Sequence, residues 1–147
     1  DIQTAVISGN LEVVKQHIEA GTDINQKEQM SGSTPLNSAA TFNKPEIAKA
    51  LIEANANLSV INNDGSTALH TAAFFGRIEI VQMLIDAKAD KSMRNNFGAT
   101  PRETVIGEFA EIKPFYEMFK QQLKPMGFVL DMNELEKARP VVAMMLQ

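Results

Sequence analysis

Apolar residues recur along this chain at helical spacing, in short segments separated by glycine or asparagine. In the clearest segment, residues 79–87, isoleucine, valine and leucine side chains fall on one face of a predicted helix. A shorter helix is predicted at residues 68–75, where two adjacent alanines allow a neighbouring helix to approach closely. Gly76 separates the two helices, and a polar loop follows at residues 90–96. The pattern therefore predicts a unit made of two helices and a loop.

This unit recurs with a fixed period. Residues 32–64 and 65–97 agree at 16 of 33 aligned positions, and glycines stand in the same phase at Gly32, Gly65 and Gly98. A period of this length is typical of proteins built from stacked repeats. One unit cannot bury its apolar face alone, so the copies must stack on one another.

The repeated residues resemble the ankyrin repeat, whose pattern is Gly-x-Thr-Pro-Leu-His-x-Ala-Ala, then Gly, Glu-Ile/Val-Val-x-x-Leu-Leu and Gly-Ala-Asp. Residues 65–90 follow it as Gly-x-Thr-Ala-Leu-His-x-Ala-Ala, Gly76, Glu-Ile-Val, Leu-Ile and Ala-Asp. The preceding copy has Thr-Pro-Leu-Asn at residues 34–37. The resemblance implies an all-α ankyrin-repeat solenoid, with two helices and a β-turn loop in each repeat and an extra helical cap at the C-terminus.

The predicted division is an ankyrin domain at residues 1–124 and a helical extension at residues 125–147. The domain comprises a capping repeat (1–31), two regular repeats (32–64 and 65–97) and a divergent repeat (98–124). In the capping repeat, polar Gln16 and His17 replace apolar residues of the inner repeats, as a solvent-facing end requires. One extra residue lies within 29–31, which indicates either an insertion on the binding face or neutral variation of a loop.

The C-terminal third is predicted to contain two further helices. The first is expected to begin at Lys113-Pro114. Its apolar positions are Phe115, Met118 and Phe119, followed by Gln122 and Leu123. The second is expected to begin after Asp131 and to end at Arg139-Pro140. The apolar residues 141–146 either pack on the last repeat or belong to a following domain.

Composition excludes some classes of site and partner. The chain has 147 residues, a net charge of −4 and no basic stripe, which argues against nucleic acid as a partner. It has no cysteine and no apolar run long enough to span a membrane. Because the sequence has neither an initial methionine nor a signal peptide, we expect a processed form or a fragment. Both the cytoplasm and an exported or periplasmic location are compatible with these features.

Candidate chemistry is sparse. There is no glycine-rich phosphate loop and no histidine or cysteine pair with metal-ligand spacing. The resemblance gives His70 a structural role, since the ankyrin histidine bonds its imidazole to the turns. We therefore predict no enzyme, no cofactor and no metal site.

The resemblance implies protein binding through the concave face, formed by the loop tips and the first helices. One of the adjacent residues Phe74 and Phe75 is expected to face solvent as an anchor; alternatively, Phe42 and one of this pair fill gaps between repeats. The candidate partner-binding residues are Met30, Phe42, Ile61, Asn63, Asp64, Phe74, Phe75, Arg94 and Phe97.

The predicted function is a monomeric scaffold that holds a partner protein and has no catalytic activity. Three alternatives stay open: a regulatory module of a larger enzyme or membrane protein, a self-associating structural unit, and a small-ligand site near Phe115 and Phe128.

Overall fold

The computed structural model describes all residues, 1–147, and contains only helices and turns. The α-helices are α1 (Ile2–Ser8), α2 (Leu11–Glu19), α3 (Pro35–Thr41), α4 (Pro45–Glu53), α5 (Ala68–Phe74), α6 (Ile78–Asp86), α7 (Phe109–Leu123) and α8 (Met132–Met145). Two 3-10 helices lie at Arg102–Val105 and Lys124–Met126.

The helices stack in two layers. The first helices α1, α3 and α5 and the 3-10 helix Arg102–Val105 pack in succession along one layer. The second helices α2, α4, α6 and α8 pack in succession along the other. The main core, of 22 buried residues, runs from Ile2 to Leu146, so the array is stabilised by contacts between neighbouring units. A smaller second cluster of five buried residues lies beside it, between α5 and the C-terminal segment.

Local signals in the sequence determine where these helices begin and turn. The hydroxyls of Thr34 and Thr67 accept hydrogen bonds from N–H groups in the first turns of α3 and α5, as N-cap residues do. Between first and second helices the chain adopts the left-handed conformation at Gly9, Asn43 and Gly76. Asn43 confirms that asparagine can take the place of glycine at this turn.

The helix α7 differs from its prediction. It begins at Phe109 rather than at Lys113, and Pro114 lies inside it. Pro114 faces solvent, so the carbonyl that it leaves without an N–H partner can be hydrated. Phe115 and Met118 are exposed, because the packed side of α7 is rotated away from the predicted one. That side carries Phe109, Ile112, Tyr116, Phe119 and Leu123.

The helix α8 also differs. Its N-cap Asp131 is at the predicted start, but the predicted end at Arg139-Pro140 is wrong, because the helix continues to Met145. Pro140 is exposed, and burial of Val142, Ala143 and Leu146 in the main core offsets the hydrogen bond lost at proline. The apolar C-terminal run therefore packs on the last repeat, which is the first of the two alternatives.

The contacts of α8 bear on how the C-terminal third is divided. This helix packs against both α6 and the 3-10 helix Arg102–Val105, as a second helix packs in the earlier repeats. We propose that residues 98–147 form one divergent fourth repeat interrupted by residues 106–130, in place of the predicted division at residue 125.

Candidate partner-binding site

Three turns project from the array at one edge, each closed by a backbone hydrogen bond. The bonds run from Glu28 N–H to Ser33 O (2.9 Å), from Asn62 N–H to Ser66 O (3.0 Å) and from Asn95 N–H to Ala99 O (2.9 Å). Each turn contains a glycine with positive φ, at Gly32, Gly65 or Gly98. The turns therefore recur at corresponding positions of successive repeats, and the first is one residue longer than the other two.

Asparagine side chains join these turns into a row. The amide Nδ2 of Asn63 donates to Met30 O at 2.8 Å, and that of Asn96 donates to Asn63 O at 3.1 Å. The backbone N–H groups of the same two asparagines donate to Ser31 O and Asp64 O, both at 2.9 Å. Asn63 therefore links one turn to the next. The sequence-based prediction gave it only a partner-binding role and did not include this structural one.

Close approach between turns requires glycine at Gly32 and Gly65. Gly65 has a φ of 71°, and a Cβ there would lie 2.9 Å from the backbone nitrogen of Asn96. At Gly32 a Cβ would lie 3.1 Å from the nitrogen of Asn63. Gly98 has the same conformation but no such neighbour, because its turn is the last in the row.

The first turn is built differently because it contains the extra residue. The Glu28 carboxylate accepts hydrogen bonds from the N–H groups of Met30 and Ser31. In the other two turns an asparagine amide oxygen accepts the corresponding hydrogen bond. The hydrogen bonds that the Glu28 carboxylate accepts lower its pKa. The largest contribution comes from the Ser31 hydroxyl, and the backbone N–H groups contribute less. The longer turn leaves Met30 88% exposed.

Six of the nine candidate binding residues lie in these turns or directly before them: Met30, Ile61, Asn63, Asp64, Arg94 and Phe97. The apolar ones are accessible, since Phe97 is 80% and Ile61 40% exposed. Arg94 donates to the Glu103 carboxylate at 2.8 Å, and both side chains are well exposed. The pKa of Glu103 is lowered, first by the N–H of Thr100 and also by Arg94.

The other three candidates lie elsewhere, beneath the chain's own C-terminal segment. The ring of Phe74 stacks on Tyr116 with centroids 4.5 Å apart, and Phe75 lies 5.2 Å from Phe128. Phe42 lies edge-on to Phe128 at 6.1 Å. The expectation that Phe74 or Phe75 faces solvent is wrong, because Tyr116 and Phe119 of α7 pack on both rings. Phe75 is only 6% exposed and Phe74 is half-buried.

Two buried arginines hold this segment in place, and neither was singled out from the sequence. Arg77 donates to Thr41 O at 2.7 Å and to Val129 O at 3.3 Å, and its guanidinium lies over the rings of Phe75 and Phe128. Burial lowers the pKa of Arg77 to about 10. The sequence did contain a signal for Arg77, because the matching residue one repeat earlier, Lys44, is also basic.

The second arginine, Arg139, acts together with Tyr116. It donates to the Tyr116 hydroxyl and to Gly107 O, both at 2.8 Å, and the hydroxyl donates to Phe74 O at 2.6 Å. Burial raises the pKa of Tyr116 to about 12, against the opposing influence of Arg139. Nothing in the periodicity could have identified this pair, because both residues lie beyond the regular repeats.

His70 connects α5 to the following turn. Its Nδ1 lies 3.2 Å from the N–H of Thr67 and its Nε2 lies 2.9 Å from Ala99 O, so Nδ1 accepts and Nε2–H donates. One repeat earlier, Asn37 makes the matching bond to Ser66 O at 3.2 Å. The structural role predicted for His70 agrees with these bonds.

The substitution His70→Asn should remove a pH dependence of stability. Burial, the largest cause, lowers the pKa of His70, so the unfolded state takes up the proton more readily than the folded state. The stability that the neutral His70 ring contributes to the folded state is fully present above the unfolded pKa of about 6.5, and it is lost as the pH falls below that value. Urea unfolding between pH 7.5 and 5.5 should show a falling midpoint in the wild type and a flatter profile in His70→Asn.

The variant His17→Asn is the control for this measurement, because His17 is half-buried and its Nδ1 lies near only the Thr22 hydroxyl, at 3.1 Å. An equally steep profile in His70→Asn would contradict the assigned role of His70.

No three histidine, aspartate or glutamate side chains lie close enough together to bind a metal ion. Helices long and apolar enough to cross a bilayer are also absent.

Comparison with known proteins identifies the family. A family model described as ankyrin repeats (3 copies) matches residues 2–95. Protein phosphatase 1 regulatory subunit 27 of Homo sapiens and of Mus musculus are each 42% identical over 63 residues, which cover 43% of this chain and 40% of either relative. The chain thus matches less than half of the length of these relatives.

A solved structure shows the same architecture. The ankyrin repeat domain of Bcl-3, a member of the IκB family, superposes with a TM-score of 0.68 and 31% identity, covering 70% of this chain and 45% of that one. The all-α solenoid inferred from the resemblance is confirmed, and ankyrin repeats are protein-interaction modules. Because the matched repeats at residues 2–95 make up more than half of the sequence, the chain belongs to the ankyrin repeat family.

Proposed function

We propose that this chain is a non-catalytic scaffold that binds a partner protein through the row of turns at residues 28–33, 62–66 and 95–99. The observation that carries the proposal is the presence of exposed apolar side chains on this row, with Met30 88% and Phe97 80% exposed. Large apolar side chains are common anchors of protein interfaces when a rigid scaffold presents them. Ile61, directly before the middle turn, adds a third such side chain.

Rigidity of the row supports the same proposal. The asparagine bonds between turns fix the spacing of neighbouring tips before any partner arrives, which reduces the conformational entropy lost on binding. The charged tip residues Asp64 and Arg94 are exposed beside the apolar ones, so the surface has the mixed composition of a protein interface rather than that of a core.

The family also supports a protein partner. Phosphatase regulatory subunits, to which the chain is similar in part, are proteins named for their action on another protein. The net charge of −4 gives no support to nucleic acid as a partner. Phe42, Phe74 and Phe75 pack against the chain's own C-terminal segment, so the proposed contact surface does not include them. The proposed contact residues are Met30, Ile61, Asn63, Asp64, Arg94 and Phe97.

The proposal predicts that a triple variant, Met30→Ala, Ile61→Ala and Phe97→Ala, loses its partner. Proteins captured from native cell extract by the triple variant and by the wild type are compared by quantitative mass spectrometry. These side chains are exposed, so each change should alter the free energy of unfolding by less than about 0.5 kcal/mol. A partner depleted by about tenfold or more in the variant is the expected result, which corresponds to roughly 1.4 kcal/mol of binding free energy.

A matched control comes from apolar residues of similar exposure away from the turns. Val129 is 77% and Met144 71% exposed, and the double variant Val129→Ala with Met144→Ala should retain the partner. Equal retention by both variants, or equal loss from both, would count against the row of turns as the binding surface.

A further inference from the structure

Side chains, rather than close approach of helices, attach α7 to the repeats. Tyr116 is the only buried residue of this 15-residue helix, whereas six of the seven residues of α5 are buried. The backbone of α7 makes substantial close contact with only one other helix, the adjoining 3-10 helix Lys124–Met126. Segments with few buried contacts open at a lower free-energy cost than the core does.

The segment that contains α7 lies between two points at which the chain is held to the rest of the fold. On its N-terminal side, Gly107 O accepts a hydrogen bond from Arg139. On its C-terminal side, Gly127 has a φ of 89°, and the next residue, Phe128, is buried. Val129 O is then held by Arg77. The chain is thus fixed to the repeats just before residue 108 and just after residue 127.

Between these anchors, one hydrogen-bonded group joins α7 to the first-helix layer. The Tyr116 hydroxyl donates to Phe74 O, a carbonyl in the last turn of α5, and accepts from Arg139. Its ring stacks on Phe74, while Phe119 lies 5.9 Å from Phe74 and 5.6 Å from Phe75. Displacement of α7 would leave the rings of Phe74 and Phe75 without this cover.

We propose that residues 109–126 form a cover that opens as a unit about Gly107 and Gly127 and exposes the aromatic side chain of Phe74 and the side of the Phe75 ring that faces Phe119. The uncovered surface fits an amphipathic helix with apolar residues spaced as in α7, at positions 109, 112, 116, 119 and 123. The opening goes beyond the proposed function and does not rest on it, because residues 109–126 cover Phe74 and Phe75 at the end of α5 and not the row of turns.

Hydrogen exchange on the full-length protein, read by mass spectrometry at peptide level, tests the opening without any partner. The protection factors of α7 amides should be at least about tenfold lower than those of α5 and α6, because local opening costs less than global unfolding. Low concentrations of urea should change the exchange of α7 less than that of α5, since opening of the cover exposes less surface than unfolding of the array.

The variant Tyr116→Phe sharpens the test, because it keeps the ring and removes the hydroxyl. It should accelerate exchange in α7 by a further factor of about ten and leave α5 and α6 unchanged. Phe115→Ala is the matched control, since Phe115 lies on the outer side of α7 and is 55% exposed.

Two outcomes would overturn the proposal. In the first, α7 and α5 exchange at the same rate with the same dependence on urea, which would make α7 part of the cooperative core. In the second, Tyr116→Phe accelerates α5 as much as α7. Neither result depends on the capture experiment, so failure of the cover and failure of the proposed binding surface are distinguishable.

Discussion

Replacing Leu69 by alanine should lower the free energy of unfolding by about 2–5 kcal/mol. Leu69 is 1% exposed and belongs to the main core that runs through the array. The helix that carries Leu69, α5, is already in close contact with α3, so the two helices cannot move inward to fill the cavity. Urea unfolding followed by circular dichroism measures the change.

Leu36 provides the internal comparison, because it occupies the same position one repeat earlier and is also 1% exposed. Leu36→Ala should therefore destabilise the protein by a similar amount. Met144→Ala, at an apolar residue that is 71% exposed, should have little effect. An unchanged unfolding midpoint in Leu69→Ala would mean that the assigned register of the repeats is wrong.

Replacing Gly65 by alanine should be more destabilising than the same change at Gly98. Both glycines have positive φ, 71° and 77°, and alanine in this conformation costs about 1–2 kcal/mol. At Gly65 the added Cβ also meets the side chain and backbone nitrogen of Asn96 in the next turn. The two turns must then separate, which weakens the hydrogen bond from Asn96 to Asp64 O.

Gly98→Ala supplies the matched control, because no heavy atom lies within 4 Å of its Cβ position. The difference between the two unfolding free energies isolates the contact between turns, and we expect at least about 1 kcal/mol for it, the typical contribution of a hydrogen bond. Equal destabilisation at both positions would show that the row of turns is not held as closely as described.

The regular part of the fold could be predicted from the sequence. Capping threonines, turn residues with positive φ and apolar positions at helical spacing act within one unit, and the period of 33 residues shows how the units stack. The bonds of His70 could be anticipated for the same reason. Asn62, Asn63 and their counterparts Asn95 and Asn96 also recur in register, so the links between turns left a signal in the sequence.

The C-terminal third could not be predicted in the same way. Pro114 and Pro140 are typical of helix ends, but both lie inside helices because each faces solvent and tertiary packing offsets the missing hydrogen bond. Which side of α7 is buried depends on Phe74 and Phe75, which lie more than 30 residues away in sequence. Local periodicity contains no information about such a partner.

The sequence by itself thus determined the repeat, its two helices, the turns and the family, because each follows from interactions between neighbouring residues or adjacent copies. Only the tertiary structure decided which candidate binding residues are accessible. Met30 and Phe97 are exposed because the turns project from the array. Phe75 is buried because α7 folds back over it and because Arg77 and Arg139 hold the chain on either side of α7, at Val129 O and Gly107 O. Exposure of an aromatic side chain depends on what the rest of the chain covers, and that is a property of the whole fold.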